Sequence, residues 1–318
     1  MKVINQGRFT LEKDGVAFYN TGSGISFLAK GDRAFVDVTS KTNSGFLYII
    51  KNFDYENKEK IFIENHKKVE ILLDKNKPIR VDLVKANEAA DNTLIFGPVL
   101  CSGELLDIDE NDKKFVKVYG DSSIAGYGIL AHEGEANIYT NDGIENFCFR
   151  ALYSLGFKFD IFAHSGWGLC FSEWTNPKTV GIEKFRDNIS VFSDKKFPQI
   201  TPDFLIISLG TNDVSFIDRN KEISKELIGK FEKSYENLIK KERGKNTEIP
   251  VLMVCGSLKE NPPYFLVEKT YEKLSKKLPN IHLVNLPGDN SAISFHSYVS
   301  YHAKMAEILK EKIVQILS

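Results

Sequence analysis

The chain has 318 residues, 42% hydrophobic and 27% charged, with a formal net charge of -1. That length suits two domains, each able to bury a core, and the near-neutral balance excludes bulk electrostatic capture by nucleic acid or an anionic membrane. No run approaches the roughly 18 consecutive apolar residues of a membrane span, and Cys101, Cys148, Cys170 and Cys255 lack the CxxC spacing of a zinc or redox site, so no metal or cofactor is expected.

Met1 to Arg8 lack the apolar stretch of a secretory signal. The expectation is a soluble chain, cytoplasmic as given, or secreted if a signal has been removed. The first third reads as strands: Ala34, Val36 and Val38 alternate with Phe35 and Asp37, and Ile79, Val81 and Leu83 alternate with Arg80 and Asp82. Short apolar runs at 46–50, 61–63 and 69–73 lie between turn residues, a pattern of a β-sandwich or jelly roll. The polar segment Leu106 to Lys114 reads as a linker. This divides the chain into a sandwich over 1–107 and a second domain over 108–318.

Beyond the linker, strands alternate with helices. Strands are expected at 115–119, 159–163, 204–209, 251–255 and 281–286, and helices at 144–155, 264–278 and 302–317. Ile223, Leu227, Phe231, Tyr235 and Leu238 recur at helical spacing. The βαβα order implies a parallel sheet covered by helices on both faces, a three-layer α/β/α arrangement.

In such sheets, reactive residues collect at the carboxyl ends of strands. The strand at 115–119 runs into Gly120-Asp121-Ser122, that at 159–163 into His164-Ser165-Gly166-Trp167-Gly168, and that at 204–209 into Gly210-Thr211-Asn212-Asp213. His296 stands before the last helix. A serine hydroxyl needs a base to take its proton, and histidine suits that role near neutral pH. The developing oxyanion needs fixed donors, which the N–H groups of Ser122 and Gly166 and the Asn212 amide can supply. Asp121 reads as structural and His302 as core. Trp167 and Trp174, the two tryptophans of the chain, are candidates for substrate contact because an indole offers a large rigid apolar face.

Val118-Tyr119-Gly120-Asp121-Ser122 resembles block one of the SGNH (GDSL-like) hydrolases, Gly166 the glycine of block two, and Gly210-Thr211-Asn212-Asp213 the GxND of block three. His296 with Val299, His302, Lys304, Met305 and Ala306 resembles block five. More narrowly, Gly120 to Gly128 is similar to the extended block one of carbohydrate esterase family two, Ser165 to Leu169 to its SGxGL, and Lys85-Ala86-Asn87-Glu88 to its KRTE. The resemblance implies a flavodoxin-like SGNH domain behind a jelly roll. It also implies metal-free deacetylation of a carbohydrate such as xylan or glucomannan, with Ser122 as nucleophile and His296 as base. The same pair would also serve a lipase or thioesterase, and a carbohydrate-binding protein with a degenerate site is the alternative outside catalysis.

Three departures from the family pattern stand out. The Asp usually found two or three residues before the histidine is replaced by Ser294 and Ile293. A backbone carbonyl is then expected to orient His296, with Asp289 as the less favoured carboxylate partner. Ser297 and Tyr301 replace the Pro and Gly of block five, and Ala86 and Asn87 replace the Arg and Thr of KRTE. The loop carrying His296 is expected to be less rigid, and the contact between domains to be rebuilt.

Overall fold

A computed structural model describes residues 1–256 and 263–318. The N-terminal part is built from β1 (Val3–Gln6), β2 (Phe9–Glu12), β3 (Gly15–Phe18), β4 (Gly24–Lys30), β5 (Arg33–Ser40), β6 (Gly45–Lys51), β7 (Glu59–Ile63), β8 (His66–Leu72), β9 (Ile79–Lys85), β10 (Leu94–Cys101) and β11 (Glu104–Leu106). They form two antiparallel sheets. One runs β1-β4-β9-β6-β7, with β11 also on β4, and the other runs β2-β3-β10-β5-β8. Alternation places Val36, Val38, Val69 and Ile71 of one sheet against Phe27, Leu47, Val81 and Leu83 of the other, in one core between them. The segment read as a linker is partly tied down. Leu106 ends β11, paired with Leu28, and Glu110 is buried, bonded to Arg80 at 2.6 Å and to Lys113 at 2.8 Å.

The rest of the chain contains β12 (Phe115–Gly120), α1 (Ser122–Ala125), α2 (Phe147–Ser154), β13 (Lys158–Ala163), α3 (Ile182–Phe185), β14 (Phe204–Ser208), α4 (Thr211–Arg219), α5 (Ser224–Arg243), β15 (Val251–Cys255), α6 (Pro263–Leu274), β16 (Ile281–Asn285) and α7 (Val299–Leu317). The strands make a parallel sheet in the order β13-β12-β14-β15-β16. Successive residues of β14 point to opposite faces. Phe204 and Ile206 join a core with α2 and α7, while Leu205 and Ile207 join one with α5 and α6. This is the three-layer order expected.

Several helix limits differ from the sequence pattern. Asn146 caps α2 by accepting the Phe149 N–H, so the helix starts at Phe147 rather than 144. Ile223 precedes α5 in a 3-10 turn and is exposed, outside the apolar face that Leu227, Phe231, Tyr235 and Leu238 share. The final helix begins at Val299, three residues earlier than expected. Among the described residues, no helix is long and apolar enough to cross a membrane.

The halves meet over a mixed apolar and polar seam. Tyr48, Ile50, Val84 and Ala86 from the sandwich belong to the same buried cluster as Phe149 and Leu152 of α2. Arg8 is fully buried; its Nε donates to Asp160 at 2.9 Å, and its Nη1 to the carbonyls of Arg186 and Asn188. Tyr48 donates to Asp142 at 2.7 Å, and Tyr153 to Asp82 at 2.6 Å.

Candidate active site

Ser122 opens α1 directly after β12 and is buried apart from its face on a cavity. Asp121 caps this short helix, accepting the Ser123 N–H at 3.1 Å. Burial, with the like charge of Asp213 adding, pushes the Asp121 carboxyl up to about 7. Its place as a cap matches the structural role read for it.

His296 arrives from 174 residues away, and its Nε2 lies 2.7 Å from the Ser122 Oγ. Its Nδ1 faces two backbone oxygens, Ile293 O at 3.0 Å and Ser294 O at 3.1 Å. Carbonyls only accept, so the ring proton belongs on Nδ1 and the Nε2 lone pair faces the serine. Burial lowers the His296 pKa below the ordinary histidine value, opposed by the two carbonyls. Asp289 does not take the triad position. Its carboxylate accepts from the Tyr298 N–H at 3.4 Å and from the Ser291 hydroxyl, bracing the loop.

The two carbonyls converge because of an uncommon backbone. Ser294 and Phe295 have φ of 53° and 63°, left-handed values for residues other than glycine. The loop is held from outside: Ile293 N–H donates to Ala131 O at 3.2 Å and Val299 N–H to Ile129 O at 3.0 Å. Gly128 makes this approach possible. With φ +65°, a Cβ there would lie 2.9 Å from the Ile293 Cβ.

Gly166 (φ +77°) and Asn212 line the same cavity as Ser122 and His296. Among the described residues, neither the Ser122 nor the Gly166 N–H has an intramolecular acceptor. Asn212 uses one amide hydrogen on Trp167 O at 3.1 Å, which leaves the other for the cavity. Asp213 accepts the N–H groups of Leu169, Cys170 and Phe171 at 2.7, 2.9 and 2.8 Å, fixing the chain after Gly166.

The tryptophans part company. Trp174 is 69% exposed and lines the cavity. Trp167 does not line it; its ring packs edge-on against Phe185 at 5.3 Å and Phe192 at 6.4 Å, where apolar area is better buried. Its backbone carbonyl, not its indole, serves the site. His302 is buried, stacked on Phe147 and accepting the Phe147 N–H at 3.3 Å, as the core reading expected.

Sequence reasoning missed Tyr127, Asn290 and Phe295 in the cavity wall. Tyr127 stood inside the quoted block one and Phe295 beside the histidine, so adjacency was the signal available. The cavity holds about 590 Å³, and among the described residues that line it His296 is the one acidic or basic side chain, Tyr127 apart. Among the described residues, no group of three or more His, Cys, Asp or Glu is arranged to hold a metal ion.

A serine at the carboxyl end of an inner parallel strand, paired with a histidine from the last loop and fronted by a β-sandwich, is the architecture of a two-part SGNH hydrolase fold. No family model and no curated protein sequence matches the chain. Solved structures do. A family two carbohydrate esterase from Clostridium thermocellum in complex with cellohexaose is similar with a TM-score of 0.84 and 19% identity, over 99% of this chain and 99% of that one. An acetyl xylan esterase from the rumen bacterium Butyrivibrio proteoclasticus gives 0.85 and 16%, over 99% and 95%. A salicylyl-acyltransferase from a tetracycline biosynthetic pathway gives 0.69 and 11%, over 99% and 96%. The chain therefore has the fold of the family two carbohydrate esterases along nearly its whole length.

Proposed function

We propose that this protein is a serine esterase that removes acetyl groups from O-acetylated carbohydrate through an acetyl-Ser122 intermediate. The observation that carries the reading is the 2.7 Å contact between Ser122 Oγ and His296 Nε2, with Nδ1 held by carbonyls in the tautomer a general base needs. As Ser122 attacks the acetyl carbonyl, His296 takes its proton. The oxyanion is met by the N–H groups of Ser122 and Gly166 and by the Asn212 amide. His296 then returns the proton to the sugar oxygen as the C–O bond breaks. Water, deprotonated in turn by His296, attacks the acyl-serine, and His296 returns that proton to the Ser122 oxygen as the ester bond breaks and acetate leaves.

Carbohydrate is favoured on two grounds. Of the similar solved structures, one is a carbohydrate esterase in complex with cellohexaose and another is an acetyl xylan esterase. Among the described residues, the cavity wall offers hydroxyls, amides and the aromatic faces of Tyr127, Trp174 and Phe295, and no lysine or arginine for a phosphate or carboxylate headgroup. This suits a neutral sugar ring. The intact serine–histidine geometry weighs against a degenerate site. The test is acetate release from p-nitrophenyl acetate and from acetylated xylan and glucomannan. Wild type is expected to turn over and Ser122→Ala to fall to background; equal rates for the two would refute the reading.

A further inference from the structure

Glu88 lies on the loop leaving β9, on the sandwich side of the seam, and is 3% exposed. Its backbone is fixed around the fully buried Lys85, whose ammonium donates to the carbonyls of Asn87 and of Glu88, the latter at 3.1 Å. The Glu88 carbonyl also accepts the N–H groups of Asp91 at 3.2 Å and Asn92 at 3.3 Å. From this anchored position the side chain crosses to the α/β half, where Oε2 accepts the Ser165 N–H at 2.8 Å. A buried carboxylate–amide bond of this kind is stronger and more directional than a neutral one.

Ser165 immediately precedes Gly166. On the far side, the Ser172 hydroxyl donates to Gly166 O, and Asn212 holds Trp167 O. The peptide that presents the Gly166 N–H is thus gripped before and after. The grip before it comes from the other domain, 77 residues away. Burial, then the neighbouring Asp91, pushes the Glu88 carboxyl up to about 7, but an acceptor oxygen remains in either protonation state.

We infer that Glu88 is a positioning residue that aims the Gly166 N–H at the developing oxyanion, so that the sandwich domain is a working part of the active site. This rests on the esterase reading. The bond acts at the transition state rather than on the sugar, so its loss falls on kcat and spares KM. A misplacement near 1 Å can cost about 10²-fold.

The experiment measures kcat and KM on p-nitrophenyl acetate for wild type, Ser122→Ala, Glu88→Ala, Glu88→Asp and Glu88→Gln. Rates of wild type and the Glu88 variants are normalised to the fraction of chains that a fluorophosphonate labels at completion, so unfolded protein does not count; Ser122→Ala, which has no serine to label, is compared with wild type per mole of total protein. Glu88→Ala is expected to lose about 10–100-fold in kcat with KM within twofold. Glu88→Gln, which keeps an acceptor at full reach, is expected to recover most of the rate. Glu88→Asp keeps the charge but withdraws it by one methylene, and is expected to resemble Glu88→Ala; it carries the test where Glu88→Ala does not fold. A kcat within twofold of wild type in Glu88→Asp and Glu88→Ala, or a loss confined to KM, overturns the inference and leaves the esterase reading standing. Wild type no faster than Ser122→Ala overturns both.

Discussion

Gly128→Ala is a direct probe of how the histidine loop is seated. The added Cβ would stand 2.9 Å from the Ile293 Cβ, against about 3.5–4.0 Å for an unstrained carbon contact. One of the two loops must therefore retreat by roughly 0.6–1.1 Å. Ile293 supplies a carbonyl to His296 Nδ1, and a retreat transmitted to the ring would stretch the 2.7 Å contact with Ser122 past hydrogen-bonding range. The expected result is a loss of about 10²-fold in kcat. Holding alanine at φ +65° adds about 1–2 kcal/mol of backbone strain. For a chain of this size that is a fall in Tm of roughly 1.5–3 °C. Gly134→Ala is the control: its φ is +99°, but nothing lies within 4 Å of the added carbon, so it carries strain without contact. Initial rates on p-nitrophenyl acetate and a thermal melt for both variants decide the matter. A Gly128→Ala enzyme with kcat within threefold of wild type would refute the idea that this glycine seats the catalytic loop.

The lowered pKa of His296 sets the acid limb of activity. The base works only when neutral, so kcat/KM should hold as pH falls through 6.5 and decline only below it; a limb centred above 6.5 would contradict the burial argument. Asp289→Asn should keep kcat within a few-fold, because the amide oxygen can still accept from Tyr298; a loss near the roughly 10⁴-fold seen when a triad aspartate becomes asparagine would restore Asp289 to the triad. Asp160→Leu leaves the Arg8 charge buried without its partner, and should lower stability by about 3–5 kcal/mol in urea titration; a change under 1 kcal/mol would mean water reaches the seam.

What could be read from the residues, and what could not, divides along physical lines. The β14 strand announced itself because an apolar run is what a strand buried on both faces requires. The positions of Ser122, Gly166, Asn212 and His296 in one cavity followed from one rule, that loops at the carboxyl ends of parallel strands share an edge. Local signals failed where geometry is set by distant parts. The left-handed Ser294 and Phe295 have no compositional mark, since glycine is the residue that advertises such angles. Trp167 was a candidate for substrate contact because it stands beside Gly166 in a loop at the expected pocket. Phe185 and Phe192, remote in sequence, supply the apolar surface that claims its ring. The resemblance marked the Glu88 segment as a contact between domains, but nothing local paired its carboxylate with the Ser165 N–H. The early start of α7 is local, because extended Tyr298 lets the helix begin at Val299.

The apolar cluster running from Tyr48 and Val84 into Phe149 and Leu152 bears on how such a chain can change over time. Two modules joined by a flexible tether can be shuffled, each replaced without regard to the other. Here a substitute front module would have to match the contours of α2 side chain by side chain, or leave a greasy scar on the remaining half. The two halves therefore need each other to cover that surface, and a fragment beginning after residue 107 is expected to aggregate rather than work alone.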